Sequence, residues 1–275
     1  MSYATILVHV QNEDAAQPRL ECACALAARF EAKLFGVGAE MMRTMSMDDG
    51  ISSMGAEWFK EMRDIVETNL DRAARRFEAA SADLSKGAMW ERGLELPGRA
   101  MDRSSRAADL IVASTGPDGR NDPYSDAAPA DLVLGSGRPV LVVPQSPSPL
   151  SARRVLLAWK DGREARRAMS DAMPFFEGAE AVLVLALSPK DEAEAAKDGV
   201  EAVAGALQRH GAAAEGKVVV EPPADASVIM AQAKAFRADL IVAGAYGHSR
   251  LGEWVFGGVT RDLLGQRDCH VLLSH

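Results

Sequence analysis

The chain has 275 residues, 48% of them hydrophobic and 25% charged, which is enough for two domains and the composition of a folded globular protein. Its 31 Lys and Arg against 39 Asp and Glu give a formal charge of −8, a balance that argues against the basic face of a duplex nucleic-acid binder. No apolar run reaches the roughly 18 residues of a membrane span, and the three cysteines, Cys22, Cys24 and Cys269, make no disulfide framework and fit a reducing cytoplasm.

The opening, MSYATILVHVQNED, lacks the basic region and cleavage site of a signal peptide. Predicted strands of the first half lie near Thr5–Val10, Lys33–Val37, Ala88–Glu91, Leu110–Ala113 and Val140–Val143. His9, near the end of the first of these, reads as a packed residue. Cys22 and Cys24 sit two apart on a predicted helix, face different sides and read as small buried residues. The Met-rich stretch Glu40–Gly55 suits either a covering insertion or a surface for a soft metal or an apolar partner. A long helix is predicted near Ala56–Ser81, with Trp58, Phe59, Met62, Val66, Leu70 and Phe77 as its core stripe. Gln145–Ser151 is a Pro/Ser linker, which sets domains at residues 1–146 and 152–275.

Second-half strands are predicted near Arg153–Trp159, Ala181–Leu187, Lys217–Glu221, Leu240–Ala243 and His270–Leu273, with helices near Arg163–Phe176, Glu192–Arg209, Ala226–Phe236 and Val259–Gly265. The segment ADLIVA occurs at Ala108–Ala113 and again at Ala238–Ala243, the mark of an internal duplication. The spacing of the other landmarks gives the first half about 19 extra residues, for which the Met-rich stretch is the candidate. Alternating strands and helices mean a parallel sheet covered on both faces. The fold class expected is α/β, with two tandem open parallel five-stranded sheets of Rossmann-like strand order 3-2-1-4-5.

Such sheets take ligands at the carboxyl ends of strands 1 and 4, where the order reverses. After strand 4 of the second half the chain reads GAYGHSRLGEWVFGGVTRDLL. Glycines let backbone N–H groups approach an anion, and Val259-Thr260 opens a helix whose N-terminus favours negative charge. Thr260 offers a hydroxyl, and His248 and Arg250 offer positive charge. The alternative for this stretch is a surface loop with turn glycines. A GxxxxGK match at Gly211 ends in Val218 and precedes a strand, so it is no P-loop. GHSRLG has Leu251 where a nucleophile elbow needs Gly.

Gly244, Gly247 and Gly257 are spaced as GxxG, nine residues, then G, and this resembles the nucleotide-binding signature of the universal stress protein family. The ending VLLSH is also similar to that family, and the resemblance runs over nearly the whole chain as two tandem copies. It implies five-stranded α/β domains, frequent ATP binding and dimerisation through the last strand. A tandem chain then looks like a dimer joined into one, although whole chains pairing as homodimers is left open.

Three positions depart from the pattern. Gly258 stands where the family has Ser or Thr, so a phosphate-binding hydroxyl has to come from Thr260. Lys160 stands where it often has Asp, with Asp161 next door; Lys160 either contacts phosphate or is a solvated loop residue. Trp159 either stacks on a base or packs in the core, and Trp159, Asp161 or Ala186 would line the adenosine end. In the first half, Ser114 and Pro117 replace Gly244 and Gly247, and Asp126 or Ala127 falls opposite Gly257. A carboxylate repels phosphate, so one competent site is expected, in the second half.

The leading expectation is an ATP-binding regulatory or stress protein, with or without Mg²⁺, held by Gly257, Gly258, Val259 and Thr260. A slow ATP hydrolase is a second reading. Glu253 is the only carboxylate between Gly244 and Thr260 and has no evident geometry for a base. A nucleotide-free interaction module, using the Met-rich stretch, is a third.

Overall fold

The computed structural model describes residues 2–43, 55–116, 119–144, 149–220, 226–247, 258–265 and 268–275. These gather into two compact units, Tyr3–Ser136 and one built on Gly137–His275. No described helix is long and apolar enough to cross a membrane.

The first unit runs β1 (Thr5–His9), α1 (Gln17–Phe30), β2 (Lys33–Ala39), α2 (Gly55–Ser81), β3 (Ala88–Gly93), α3 (Pro97–Ser105), β4 (Leu110–Ala113) and α4 (Pro129–Gly135). Its strands are parallel in the order β3-β2-β1-β4. The second contains β5 (Val140–Val142), β6 (Arg154–Trp159), α5 (Arg163–Asp171), α6 (Met173–Phe176), β7 (Ala181–Ser188), α7 (Ala193–Arg209), β8 (Ala214–Val220), α8 (Ser227–Phe236), β9 (Leu240–Gly244), α9 (Gly258–Leu264) and β10 (His270–Ser274). Here the order is β5-β10-β9-β6-β7-β8. The central strands are buried runs, Ile6-Leu7-Val8 and Leu110-Ile111-Val112 in one unit, Val155-Leu156-Leu157 and Leu240-Ile241-Val242 in the other, as parallel strands covered on both faces must be.

The order 3-2-1-4-5 is observed in the second half as β8-β7-β6-β9-β10. Two separate sheets of five are not. β5 lies antiparallel to β10, with Val142, Leu141 and Val140 opposite Val271, Leu272 and Leu273. Both strands are short and wholly buried. An edge of that kind carries unpaired backbone groups that another strand satisfies.

The duplicated Ala-Asp has a structural task. Asp109 Oδ2 accepts hydrogen bonds from the amides of Ala4 at 2.8 Å and Thr5 at 2.9 Å. Asp239 does the same for Arg153 at 3.0 Å and Arg154 at 3.1 Å. Each carboxylate ties the start of strand 4 to the start of strand 1 in its own half. Such charged hydrogen bonds are worth roughly 1.5–3 kcal/mol.

Three elements differ from expectation. The helix predicted near Arg163–Phe176 breaks at Ala172, because Pro174 has no N–H and its ring collides with the carbonyl four residues back. β8 begins at Ala214, ahead of the predicted Lys217, and its Glu215 and Lys217 are exposed, since an edge strand lacks the apolar run that marks a central one. In α2 the stripe is buried at Val66, Leu70 and Phe77, whereas Phe59 is exposed. Most of the Met-rich stretch and the Gln145–Ser148 part of the linker lie outside the described residues.

One contact sets the geometry at the carboxyl end of β9. Gly244 ends β9 against the first turn of α5. A Cβ there would lie 2.6 Å from the backbone carbonyl carbon of Glu164 and 2.6 Å from the amide nitrogen of Ala165. Those are backbone atoms and cannot swing aside. Gly244→Ala is therefore expected to destabilise the protein by about 1–3 kcal/mol, read as a lowered thermal midpoint. Gly258→Ala, where a Cβ meets nothing within 4 Å, should leave the midpoint unchanged.

Two buried histidines make stability depend on pH. Burial, with the Arg19 charge, lowers His9 to about 3. Burial lowers His270 to about 4, against the opposing pull of Asp239. Both titrate near 6.5 when unfolded, so between those values the unfolded chain binds more protons. The stabilisation is complete above about pH 6.5 and is lost as pH falls toward 4. Denaturant unfolding between pH 7 and 5 should show this slope, and His9→Gln should reduce it.

Candidate functional site

β6 and β9 are neighbours, paired from Val155–Leu240 to Ala158–Ala243, and their carboxyl ends open on a cavity of about 460 Å³. Ala158 and Lys160–Ala165 form one side, Gly244 and Gly247 the other. The size falls in the range of small-ligand pockets, roughly 300–1,000 Å³. The crevice lies where strand order reverses, as the topology requires. A comparable hollow of about 490 Å³ runs along α2 between Glu57 and Arg72. Its described lining comes from that one helix, with no convergent loops.

Of the residues singled out from sequence, Gly244, Gly247, Lys160 and Asp161 come together around the cavity. Asp161 pairs with Arg166 at 2.6 Å, and Lys160 is exposed. Trp159 and Ala186 are side by side in the β6–β7 register and both buried. Trp159 Nε1 lies 3.9 Å from the Cβ position of Gly199 in α7, so this ring packs in the core and does not line the cavity. His248, Arg250 and Gly257 lie outside the described residues. Gly258 and Val259 open α9. Thr260 is buried, and its Oγ1 is 3.5 Å from the Tyr246 amide, from which it accepts.

The start of the glycine loop is tied to the end of β10. The Ala245 amide donates to the Ser274 carbonyl at 2.8 Å, and His275 Nδ1 donates to the Ala245 carbonyl at 3.0 Å. Tyr246 takes a left-handed φ of 55°, uncommon for a residue with a Cβ.

Sequence reasoning missed Arg163, Glu164 and Ala165. Glu164 is buried although it sits in the first turn of α5. Arg163 reaches it with Nη2 3.4 Å from Oε1 and is otherwise exposed. The available signal was position, since the residues between strand 1 and its helix border the crevice in any such sheet.

The corresponding corner of the first half is filled by its own side chains. Arg19 is buried and donates through Nε to the His9 carbonyl at 2.9 Å, through Nη1 to Ser114 Oγ at 2.9 Å, and through Nη2 to Gln11 Oε1 at 2.7 Å. Gln11 Nε2 donates to the Ser125 carbonyl and to Asp126 Oδ1, each at 2.7 Å. Asp126 Oδ2 accepts from the Asp122 amide at 2.8 Å. Burial lowers Arg19 to about 10, opposed by Asp126 and Glu13, so it remains a cation at neutral pH.

Other chemistry is poorly served. Burial pushes Cys22 up to about 12, Cys24 to about 11 and Cys269 to about 12, which leaves little thiolate for nucleophilic attack. Among the described residues no group of three His, Cys, Asp or Glu is placed to hold a metal ion.

Comparison with known proteins bears on this geometry. The model of the universal stress protein family matches residues 151–275. A universal stress protein from Archaeoglobus fulgidus superposes with a TM-score of 0.71 at 15% identity, over 98% of this chain and 97% of that one. A functionally unknown protein from Pseudomonas aeruginosa superposes with a TM-score of 0.57 at 16% identity, over 99% of this chain and 92% of that one. At these identities the likeness is one of fold. No curated protein sequence matches the chain. Residues 151–275 thus match the model of the universal stress protein family, and over nearly its whole length the chain shares the fold of a universal stress protein.

Proposed function

We propose that the second half binds an adenine nucleotide, ATP, in the crevice between β6 and β9, and that the protein acts as a nucleotide-responsive regulator in the cytoplasm. The observation that carries this reading is the cavity of about 460 Å³ bounded by Gly244, Gly247, Lys160 and the first turn of α5. Gly247 leaves backbone free to approach a ligand, and Gly244 lets the first turn of α5 close onto the end of β9 beside it. Lys160 and Arg163 bring positive charge to a polyanion, while Arg166 neutralises Asp161. Phosphates would lie toward these cations and the start of α9, with Gly257, Gly258 and Val259 supplying amides. The Thr260 hydroxyl accepts from the Tyr246 amide and keeps its O–H to donate to a phosphate. Magnesium would enter bound to the triphosphate.

The first half would bind no nucleotide in its own crevice. Arg19 already saturates its corner, and Asp126 places a carboxylate where phosphate would approach. The alternative, an interaction module free of nucleotide, predicts no binding at all.

Calorimetric titration of the whole chain with ATP, with and without Mg²⁺, tests the proposal. One ATP per chain is expected, with little or no release of phosphate. Two per chain would show the first half to be competent. No binding by folded protein would favour the interaction module.

A further inference from the structure

We propose that His275, the residue that follows β10, is a positioning residue for the nucleotide crevice, holding the turn Ala245-Tyr246 so that Gly247 presents its backbone to the ligand. The inference rests on the nucleotide reading and adds to it a residue outside the cavity on which affinity depends.

The turn begins where β9 stops. β9 and β10 keep their parallel register up to Gly244 and Ser274, and the ladder continues through the Ala245 amide, which donates to the Ser274 carbonyl at 2.8 Å. The Ala245 carbonyl takes its hydrogen bond from a side chain instead, His275 Nδ1 at 3.0 Å. A carbonyl only accepts, so the proton of this bond sits on Nδ1. Ala245 is wholly buried, and a carbonyl left without a donor in such a place is unfavourable. The imidazole thus extends the sheet by one bond past the end of the strand.

Tyr246 is where the turn needs holding. Its φ of 55° is one that a residue with a Cβ keeps only where its surroundings impose it. The Tyr246 amide donates to Thr260 Oγ1 over a long 3.5 Å. The stronger hold comes from His275, which acts on both sides of the rotated bond. It fixes the Ala245 carbonyl before it and meets the Tyr246 ring edge to face after it, with centroids 6.2 Å apart at 73°. Gly247 follows at once and borders the cavity.

The support behind His275 is firm. β10 is buried along its length and is paired on one edge with β9 and on the other with β5. His275 itself is exposed and is not among the described residues that line the cavity. Its influence on a ligand therefore passes through the turn. A turn already held in place spares the ligand the cost of ordering it.

The test combines amide exchange of the ligand-free chain with calorimetric titration by ATP, on wild type, His275→Ala and His275→Asn. Alanine removes both contacts, whereas asparagine keeps an N–H donor near the place of Nδ1 and loses the ring. In His275→Ala, exchange at residues 245–247 should quicken about tenfold with 271–274 unchanged, and ATP should bind about three- to tenfold more weakly. His275→Asn should recover part of both effects. The unfolding midpoint should hold within about 4 °C, since one exposed side chain is lost. Unchanged exchange at 245–247 in folded His275→Ala protein overturns the assignment. So does quickening that spreads equally through 271–274, which would make His275 a cap of the strand, or full ATP affinity despite a loosened turn. A wild-type chain that binds no ATP overturns the nucleotide reading and the role toward a ligand with it, and exchange of the ligand-free chain then still decides whether His275 holds the turn.

Discussion

A side chain at the end of β9 would collide with the backbone of α5. The 2.6 Å separations at Gly244 mean that glycine is needed there by the fold before any ligand is considered. Its absence of a Cβ lets α5 start directly over the strand end, brings Glu164 under cover and leaves a cavity between this turn and Gly247. The same residue that resembles a phosphate-loop glycine in sequence is thus a packing glycine in structure. The two roles agree, because close packing of the helix on one side defines the open space on the other.

The first half shows what the same fold does with a side chain at that place. Ser114 stands at the end of β4, and Arg19 comes from α1 to meet its hydroxyl. An arginine so deeply buried needs acceptors on its guanidinium, and the His9 carbonyl, Ser114 and Gln11 supply them. Asp126 then stands within reach of its field through Gln11. Read from sequence, Asp126 only disfavours phosphate. In the structure it is part of a closed polar network that occupies the corner. The two halves thus treat the corresponding corner differently, with a cavity in the second and a buried polar network in the first.

Much of the fold was legible because parallel strands buried on both faces leave continuous apolar runs. The repeated ADLIVA marked β4 and β9, and the tasks of Asp109 and Asp239 explain why an acid precedes both. Pairing of β5 with β10 followed only from the family resemblance, since a repeat by itself fixes each half's elements and says nothing of which edges join. Pro174 did signal the break after α5, but the apolar pattern ran through it. At the site, glycine spacing and the loop after β6 led to Lys160, Asp161, Gly244 and Gly247. Trp159 was ambiguous because a strand-end aromatic can face either way, and burial against α7 decides it. Glu164 and Arg19 were missed for one reason. A charged residue in a first helical turn reads as solvated, and only the distance to the facing strand end shows that it is buried.

Hydrogen exchange of the whole chain with and without ATP tests most directly the claim that one crevice is open to nucleotide and its counterpart is closed. The account predicts added protection in residues 158–165 and 244–247, and none in residues 9–19 or 114–126. Protection in the first-half segments, or protection confined to neither set while ATP is bound, would contradict it.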